Sequence, residues 1–223
     1  MMTSSLPRTP KSVAAAGALA AVLFATAAAQ EPQRLNDPRL ARLDTAARSL
    51  VAVAIDSARA AGLPTEPLVQ RALEGATKDA PGTLIVSAVQ RLAADLGRAR
   101  TALGASATSP ELEAGAAALR AGAGPAVLAQ LRRSRRQTIT VPLAVLTDLV
   151  ASGVPVDSAA AAVLALAASA RDADLIDFRR AVERDIALGA APTAATAAAA
   201  AGVFGANALD VNAGARGARP GRP

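Results

Sequence analysis

The stretch that decides the fold is GTLIVSAVQRLAADLGRARTAL, residues 82–103. Its apolar side chains recur every three or four residues, which is the spacing of one face of an α-helix. That face carries Leu84, Ile85, Ala88, Val89, Leu92 and Leu96, and the opposite side carries Gln90, Arg91, Asp95 and Arg98. The pattern predicts a long amphipathic helix with its apolar stripe in a core and its charged side in solvent.

The same periodicity continues outward through most of the chain. It predicts a helix at 37–61 with a core face of Leu40, Leu43, Ala47, Leu50, Ala54 and Ala58, and a helix at 172–188 with a core face of Leu175, Phe178, Val182 and Ile186. Shorter helices are expected at 66–76, 109–121, 125–133, 141–152, 157–169 and 192–202. Hydrophobic residues make up 52% of the chain, with alanine foremost, and aromatic residues 1%. Helix is favoured throughout because alanine has the highest helix propensity, whereas strands favour β-branched and aromatic residues.

A recurring joint separates the helices, in which a glycine is followed by a proline two or three residues later. It occurs at Gly62–Pro64, Gly122–Pro125, Gly153–Pro155 and Gly189–Pro192. Glycine ends a helix by adopting the left-handed conformation, and proline suits the first turn of the next helix. The joints predict an all-α fold in which antiparallel helical hairpins form a bundle or a short α-solenoid.

The chain divides into four segments. Residues 1–29 are a predicted signal peptide, 30–104 an N-terminal helical half, 105–204 a C-terminal helical half, and 205–223 a basic tail expected to be disordered because it is rich in glycine and polar residues. A weak duplication of the two halves is one interpretation. At an offset of 91 residues, Gly62, Pro64, Leu73, Leu84 and Ile85 match Gly153, Pro155, Leu164, Leu175 and Ile176. Coincidence within an alanine-rich helical chain is the other.

The N-terminus has the three parts of a secretory signal in order. Arg8 and Lys11 are basic, residues 13–24 are apolar, and the small residues Ala27 and Ala29 precede Gln30. This order predicts cleavage between Ala29 and Gln30, with cleavage after Ala27 as a second position, and an exported periplasmic or secreted product. The alternative is an uncleaved anchor in the inner membrane. No cysteine is present to accept a lipid, so a non-lipidated product is expected.

Composition excludes most catalytic chemistry. The chain contains no histidine, cysteine, tyrosine or tryptophan, so it cannot build a Ser-His-Asp triad, a thiolate nucleophile, or a metal site of histidine or cysteine. The acidic cluster Asp172, Asp174 and Asp177 lacks the spacing of a calcium loop and is interpreted as helix-dipole and surface pairing. We therefore expect no catalytic residue, metal or cofactor, with a hydrolase that uses carboxylates alone as a remaining alternative.

The most conspicuous charge run is Arg132, Arg133, Arg135 and Arg136. One interpretation is an anion-binding site for lipid headgroups or wall polymer, and the other is a solvated helix end. Nucleic acid is not expected, because no aromatic residues interleave with the arginines and an exported protein does not meet it. The net charge of +6 falls to +4 when Arg8 and Lys11 are removed with the signal.

These observations predict a non-enzymatic protein of the bacterial cell envelope that binds a protein partner or has a structural role. A peripheral protein that uses the arginine run to bind anionic membrane or wall polymer is the alternative.

Overall fold

The structure is a computed structural model that describes the backbone of residues 37–217 and the side chains of residues 37–205. Within these ranges a short 3₁₀ helix, Pro38–Arg42, is followed by nine α-helices, and there is no strand. The helices are α1 (Thr45–Ala60), α2 (Glu66–Thr77), α3 (Gly82–Leu103), α4 (Ser109–Arg120), α5 (Pro125–Ser134), α6 (Thr140–Ala151), α7 (Val156–Ala167), α8 (Asp172–Ala187) and α9 (Pro192–Gly217). The predicted all-α fold is confirmed.

The helices form two packed layers. In one layer α1, α3, α5, α7 and α9 contact each other in that order, and in the other α4, α6 and α8 do the same. The layers meet where α3 packs on α4, α7 on α6, and α9 on α8, and α2 packs on α3. This arrangement agrees with the predicted bundle or short α-solenoid of helical hairpins, and the two predicted halves share one continuous hydrophobic core.

The glycine joints behave as predicted. Gly62, Gly122, Gly153 and Gly189 all have positive φ, between 67° and 102°. At Gly153 the glycine N–H donates to the Val150 carbonyl and the next N–H donates to the Leu149 carbonyl, a Schellman motif that satisfies the last carbonyls of α6. A fifth joint of this type, which has no glycine, lies at Asp79, with φ 50°.

The first predicted helix is broken, which corrects both its boundary and its core face. The 3₁₀ helix ends before Leu43, and α1 begins after Asp44, whose carboxylate accepts a hydrogen bond from the Ala47 N–H at 2.8 Å. The predicted boundary is therefore wrong, whereas the predicted core positions Leu40, Leu43, Ala47 and Ala58 are buried and Ala54 is partly buried. Leu50 is 52% exposed, and the buried positions around it are Val51 and Ile55.

The stripe of α3 needs two corrections as well. Leu84, expected in the core, is 57% exposed, and Asp95, expected in solvent, is only 6% exposed. Both residues lie at an edge of the apolar stripe, where the position of the neighbouring helices decides burial. Leu175, which matches Leu84 in the proposed duplication, is completely buried. These two positions thus have different environments, and the duplication stays a prediction.

The two ends of the chain differ in how far they are described. The signal segment 1–29, with Ala27, Ala29 and Gln30, lies outside the described residues. The backbone of α9 continues to Gly217, past residue 205 where the tail was expected to begin, and the disorder expected of 205–223 stays a prediction. Residues 218–223 lie outside the described range. Between residues 37 and 217, no helix is long and apolar enough to cross a bilayer.

Candidate functional site

The structure separates the four arginines of the predicted anion site. Arg132 lies in the last turn of α5, and its Nη2 atom is 2.6 Å from Oε1 of Glu111 on α4. Arg135 is 6% exposed, donates to the Ala170 carbonyl at 3.4 Å, and pairs with the Asp172 carboxylate. Two of the four guanidinium groups are therefore engaged in joining elements of the fold.

The other two arginines of this run, Arg133 and Arg136, are exposed. Among the side chains described for residues 37–205, neither has an ion-pair partner. Arg133 lies in the last turn of α5, and Arg136 lies two residues after the end of that helix. The structure thus brings only this pair to the surface as cations that an anionic membrane or polymer could contact.

Glu111 is the centre of the most developed ionic contact in the interior. Its Oε2 atom accepts from the Thr108 N–H at 2.9 Å, as in a capping box at the start of α4, and its Oε1 atom accepts from the Ile139 N–H at 3.2 Å. Burial alone would raise the pKa of Glu111. The Thr108 N–H, the Arg132 guanidinium and the Ile139 N–H outweigh this effect and lower the pKa to about 2. The carboxylate therefore stays charged and holds α4, α5 and the start of α6 together.

The acidic cluster at the start of α8 is divided among separate partners. Asp172 pairs with Arg135, Asp174 with Arg171 at 3.0 Å, and Asp177 with Arg180 at 3.4 Å. The Arg171 side chain and backbone N–H lower the pKa of Asp174. Within the described residues, no group of three or more His, Cys, Asp or Glu side chains is placed to hold a metal ion.

A site that the charge run did not indicate lies around α3. We call it the basic cleft, a cavity of about 640 Å³. One side of α3 lines it with Ala88, Arg91, Leu92, Ala94, Asp95 and Arg98. Arg71 from α2 and Arg120 from α4 complete the lining, so three helices bring four arginines and one carboxylate together.

A second cavity of about 620 Å³, the mixed cleft, adjoins the basic cleft. It lies between α2 and α4 and shares Arg71, Leu92 and Arg120 with the basic cleft. Its own contribution is mainly acidic, from Glu66, Glu74 and Glu113. The two clefts therefore form one continuous surface that is basic along α3 and carries carboxylates along α2 and α4.

Most of the carboxylates on this surface already have cationic partners. Glu66 pairs with Arg39 at 2.8 Å, and hydrogen bonds from Arg39 and from Gln70 lower its pKa to about 2. Glu74 pairs with Lys78 at 2.6 Å, a contact that lowers the pKa of Glu74. Proton transfer at neutral pH needs a carboxyl group with a raised pKa, and these two shifts have the opposite sign.

Three of the four cations of the basic cleft also have carboxylate partners, and the first is Arg71, which pairs with Glu74 at 3.1 Å. Asp95 is held by Arg98 at 2.6 Å and lies 3.9 Å from Arg120. Arg91 donates to the Ser87 carbonyl of its own helix at 3.3 Å and has no ion pair among the described side chains. Since a guanidinium group binds carboxylates and phosphates in a planar, two-pronged geometry, Arg91 and Arg120 are suited to hold an anion.

The amino-acid sequence contains little indication of the basic cleft. Arg91 and Arg98 were assigned to the solvated side of α3, which is where they lie, but Arg71 and Arg120 join them only through the packing of α2 and α4. The signal available was the acidic–basic pair at Asp95 and Arg98, and such i,i+3 pairs are common on helix surfaces. No family model, curated protein or solved structure matches this chain.

Proposed function

We propose that this chain is an exported, non-enzymatic binding protein of the bacterial cell envelope that receives a protein partner at the two clefts around α3. The observation that carries the proposal is the convergence of Arg71, Arg91, Arg98 and Arg120 from three helices on one concave surface. Concave surfaces of stacked helices are common sites of protein binding in solenoids.

The chemistry of the clefts favours binding over catalysis. Arginine keeps its proton under all ordinary conditions, so the four guanidinium groups supply positive charge but no proton transfer. The acidic members Glu66 and Glu74 are held in the charged form by Arg39 and Lys78. These properties suit a surface that recognises charge, and they argue against the alternative of a carboxylate-only hydrolase at this surface.

Photo-crosslinking in intact cells tests this function. A photoreactive amino acid replaces Ala94, which is exposed in the basic cleft, and the matched control replaces Ala161, which is exposed on α7. We expect the photoreactive residue at position 94 to capture a defined envelope protein that the one at position 161 does not capture. Adding the substitutions Arg91→Gln and Arg120→Gln to the position-94 variant should abolish this capture. Equal capture from both positions would contradict the proposal.

A second candidate function rests on the exposed pair Arg133 and Arg136, which could hold anionic membrane or wall polymer. Sedimentation with phosphatidylglycerol vesicles at low and high ionic strength tests it, because binding through exposed charges weakens as salt screens them. Salt-sensitive binding that disappears in the Arg133→Gln, Arg136→Gln variant would favour this function, and binding unaffected by the two substitutions would exclude it.

A further inference from the structure

We infer that the basic cleft takes an acidic amphipathic helix from the partner protein. The inference rests on the proposed function and adds the chemistry and secondary structure of the segment that is bound. Three properties of the cleft lead to it: the small apolar side chains along α3, the arrangement of the cations above them, and the length of the lining.

The floor of the cleft is apolar and shallow. Ala88 and Ala94 present a single methyl group each on either side of Arg91, Asp95 and Arg98, and Leu92 is almost completely buried. Leu84, one helical turn before Ala88 on the same side of α3, leaves 57% of its surface exposed. Small side chains let a second helix approach to the usual interaxial distance of about 8–10 Å, and Leu84 extends the apolar contact.

The cations stand beside this floor in positions that match acidic flanks. Arg91 and Arg120 come from different helices, and neither forms a close ion pair. Among the described side chains Arg91 has no ion pair, and Nε of Arg120 lies 3.9 Å from Oδ2 of Asp95. Asp95 is itself paired with Arg98 at 2.6 Å. A segment with aliphatic residues on one face and Asp or Glu at its borders therefore satisfies the floor and the cations together.

The length of the lining fits a helical segment. From Ala88 to Arg98 the cleft follows eleven residues of α3, and the ten steps between them correspond to about 15 Å at about 1.5 Å per residue. This is nearly three turns of a bound helix, enough for aliphatic residues at i, i+3, i+4 and i+7. Neither cleft is lined by an aromatic ring, which disfavours the stacking on which sugar and base recognition depends.

The orientation of the bound helix follows from the acidic residue in the mixed cleft. Glu113 is exposed and, among the described side chains, has no ion-pair partner. Acidic residues of the bound segment belong over Arg91, and a basic residue belongs at the end that reaches Glu113. Replacing Arg91 by Glu and Glu113 by Arg should then reverse the direction in which the bound helix prefers to lie.

The experiment measures binding of synthetic peptides to the purified mature chain by fluorescence anisotropy. The probe is a peptide of about 14 residues with Leu at every third or fourth position and Glu on the flanks. Two further peptides replace Glu by Lys or scramble the order of residues, and poly-L-glutamate and phosphatidylglycerol vesicles represent anions that lack an apolar stripe. We expect the Glu peptide to bind at least about tenfold more tightly than any of these.

Substitutions locate the site. Arg91→Gln with Arg120→Gln should weaken binding of the Glu peptide by about tenfold or more, because each lost contact is a charge-assisted hydrogen bond. Both residues are exposed, so the fold should be kept, and thermal unfolding checks this. Arg133→Gln with Arg136→Gln removes the same charge elsewhere on the surface and should change the affinity by less than about twofold.

Three results would overturn the inference: equal affinity for the scrambled peptide, an equal loss in the two double variants, or preference for the vesicles. Capture from Ala94 in cells without a preference for the Glu peptide would reject the acidic helix and leave the proposed function standing. If Ala94 captures no protein in cells but the Glu peptide binds tightly and depends on Arg91 and Arg120, the proposed function is rejected and the acidic-helix specificity of the cleft stands.

Discussion

Replacing Glu111 by Gln tests the ionic contact that joins α4, α5 and α6. The substitution keeps the shape of the side chain and one acceptor oxygen, but removes the charge that faces Arg132 at 2.6 Å. In the folded state the pKa of Glu111 is about 2, against an ordinary value of 4.5. At about 1.4 kcal/mol per pKa unit, the charged form contributes about 3 kcal/mol to the free energy of unfolding.

The sign of the pH dependence follows from the direction of the shift. Because the folded-state pKa is lower than the unfolded one, the contribution is complete above pH 4.5 and is lost as the pH falls toward 2. We expect Glu111→Gln to lower the free energy of unfolding by about 3 kcal/mol near pH 7, and by progressively less near pH 3 and below.

Urea unfolding followed by circular dichroism measures both effects. Glu113→Gln is the matched control on the same helix, because Glu113 is exposed, and it should change the stability by less than about 0.5 kcal/mol. A loss below about 1 kcal/mol for Glu111→Gln at neutral pH would refute this account. So would a loss of constant size between neutral and acidic pH, since packing rather than charge would then be responsible.

Further predictions concern the joints, the helix interiors and the N-terminus. Gly75→Ala should destabilise the fold by about 1 kcal/mol in urea unfolding, because a new Cβ would lie 2.7 Å from Cγ1 of the stiff, buried Ile85; unchanged stability would contradict this. Gly97→Ala, where the nearest atom is 4.0 Å away, should stabilise it by about 0.5–1 kcal/mol in the same assay, and a loss would show that the site is tighter than described. Asp79→Gly should raise the melting temperature with a gain of about 0.5–1 kcal/mol, since φ at Asp79 is 50°, and a lower melting temperature would show that the Asp79 side chain has a stabilising role. Mass spectrometry of the exported protein should find Gln30 as the first residue, and an intact N-terminus would favour the membrane anchor.

The sequence predicted the helices well because their signals are local. A glycine at a joint acts on its own φ angle and on hydrogen bonds that reach back five residues, so Gly62 or Gly153 can be interpreted without knowledge of the rest of the fold. The same holds for the capping contact between Thr108 and Glu111. The break at Asp44 was missed because the apolar spacing on its two sides happens to continue across it.

The candidate site was predictable only in part, since burial at the edge of a helix face depends on distant elements. Leu84 and Asp95 both lie beside the apolar stripe of α3, and the sequence assigned the first to the core and the second to solvent. The structure reverses the two assignments: Asp95 is buried and lies 3.9 Å from Arg120 of α4, whereas Leu84 is left exposed by the helices that the structure describes. No pattern within α3 contains this information.

The arginines of this chain differ in function according to whether a carboxylate from another element comes within reach. Arg135 meets Asp172 across a separation of 37 residues and is buried, so it ties the loop after α5 to the start of α8. Arg91 meets no such carboxylate among the described residues and keeps its charge at the surface. At the end of α5, Arg132 and Arg135 hold neighbouring elements, so the predicted anion site stays a prediction for the exposed pair Arg133 and Arg136. The arginines that α2, α3 and α4 gather from distant parts of the sequence line one concave surface, which is where we propose that a partner binds.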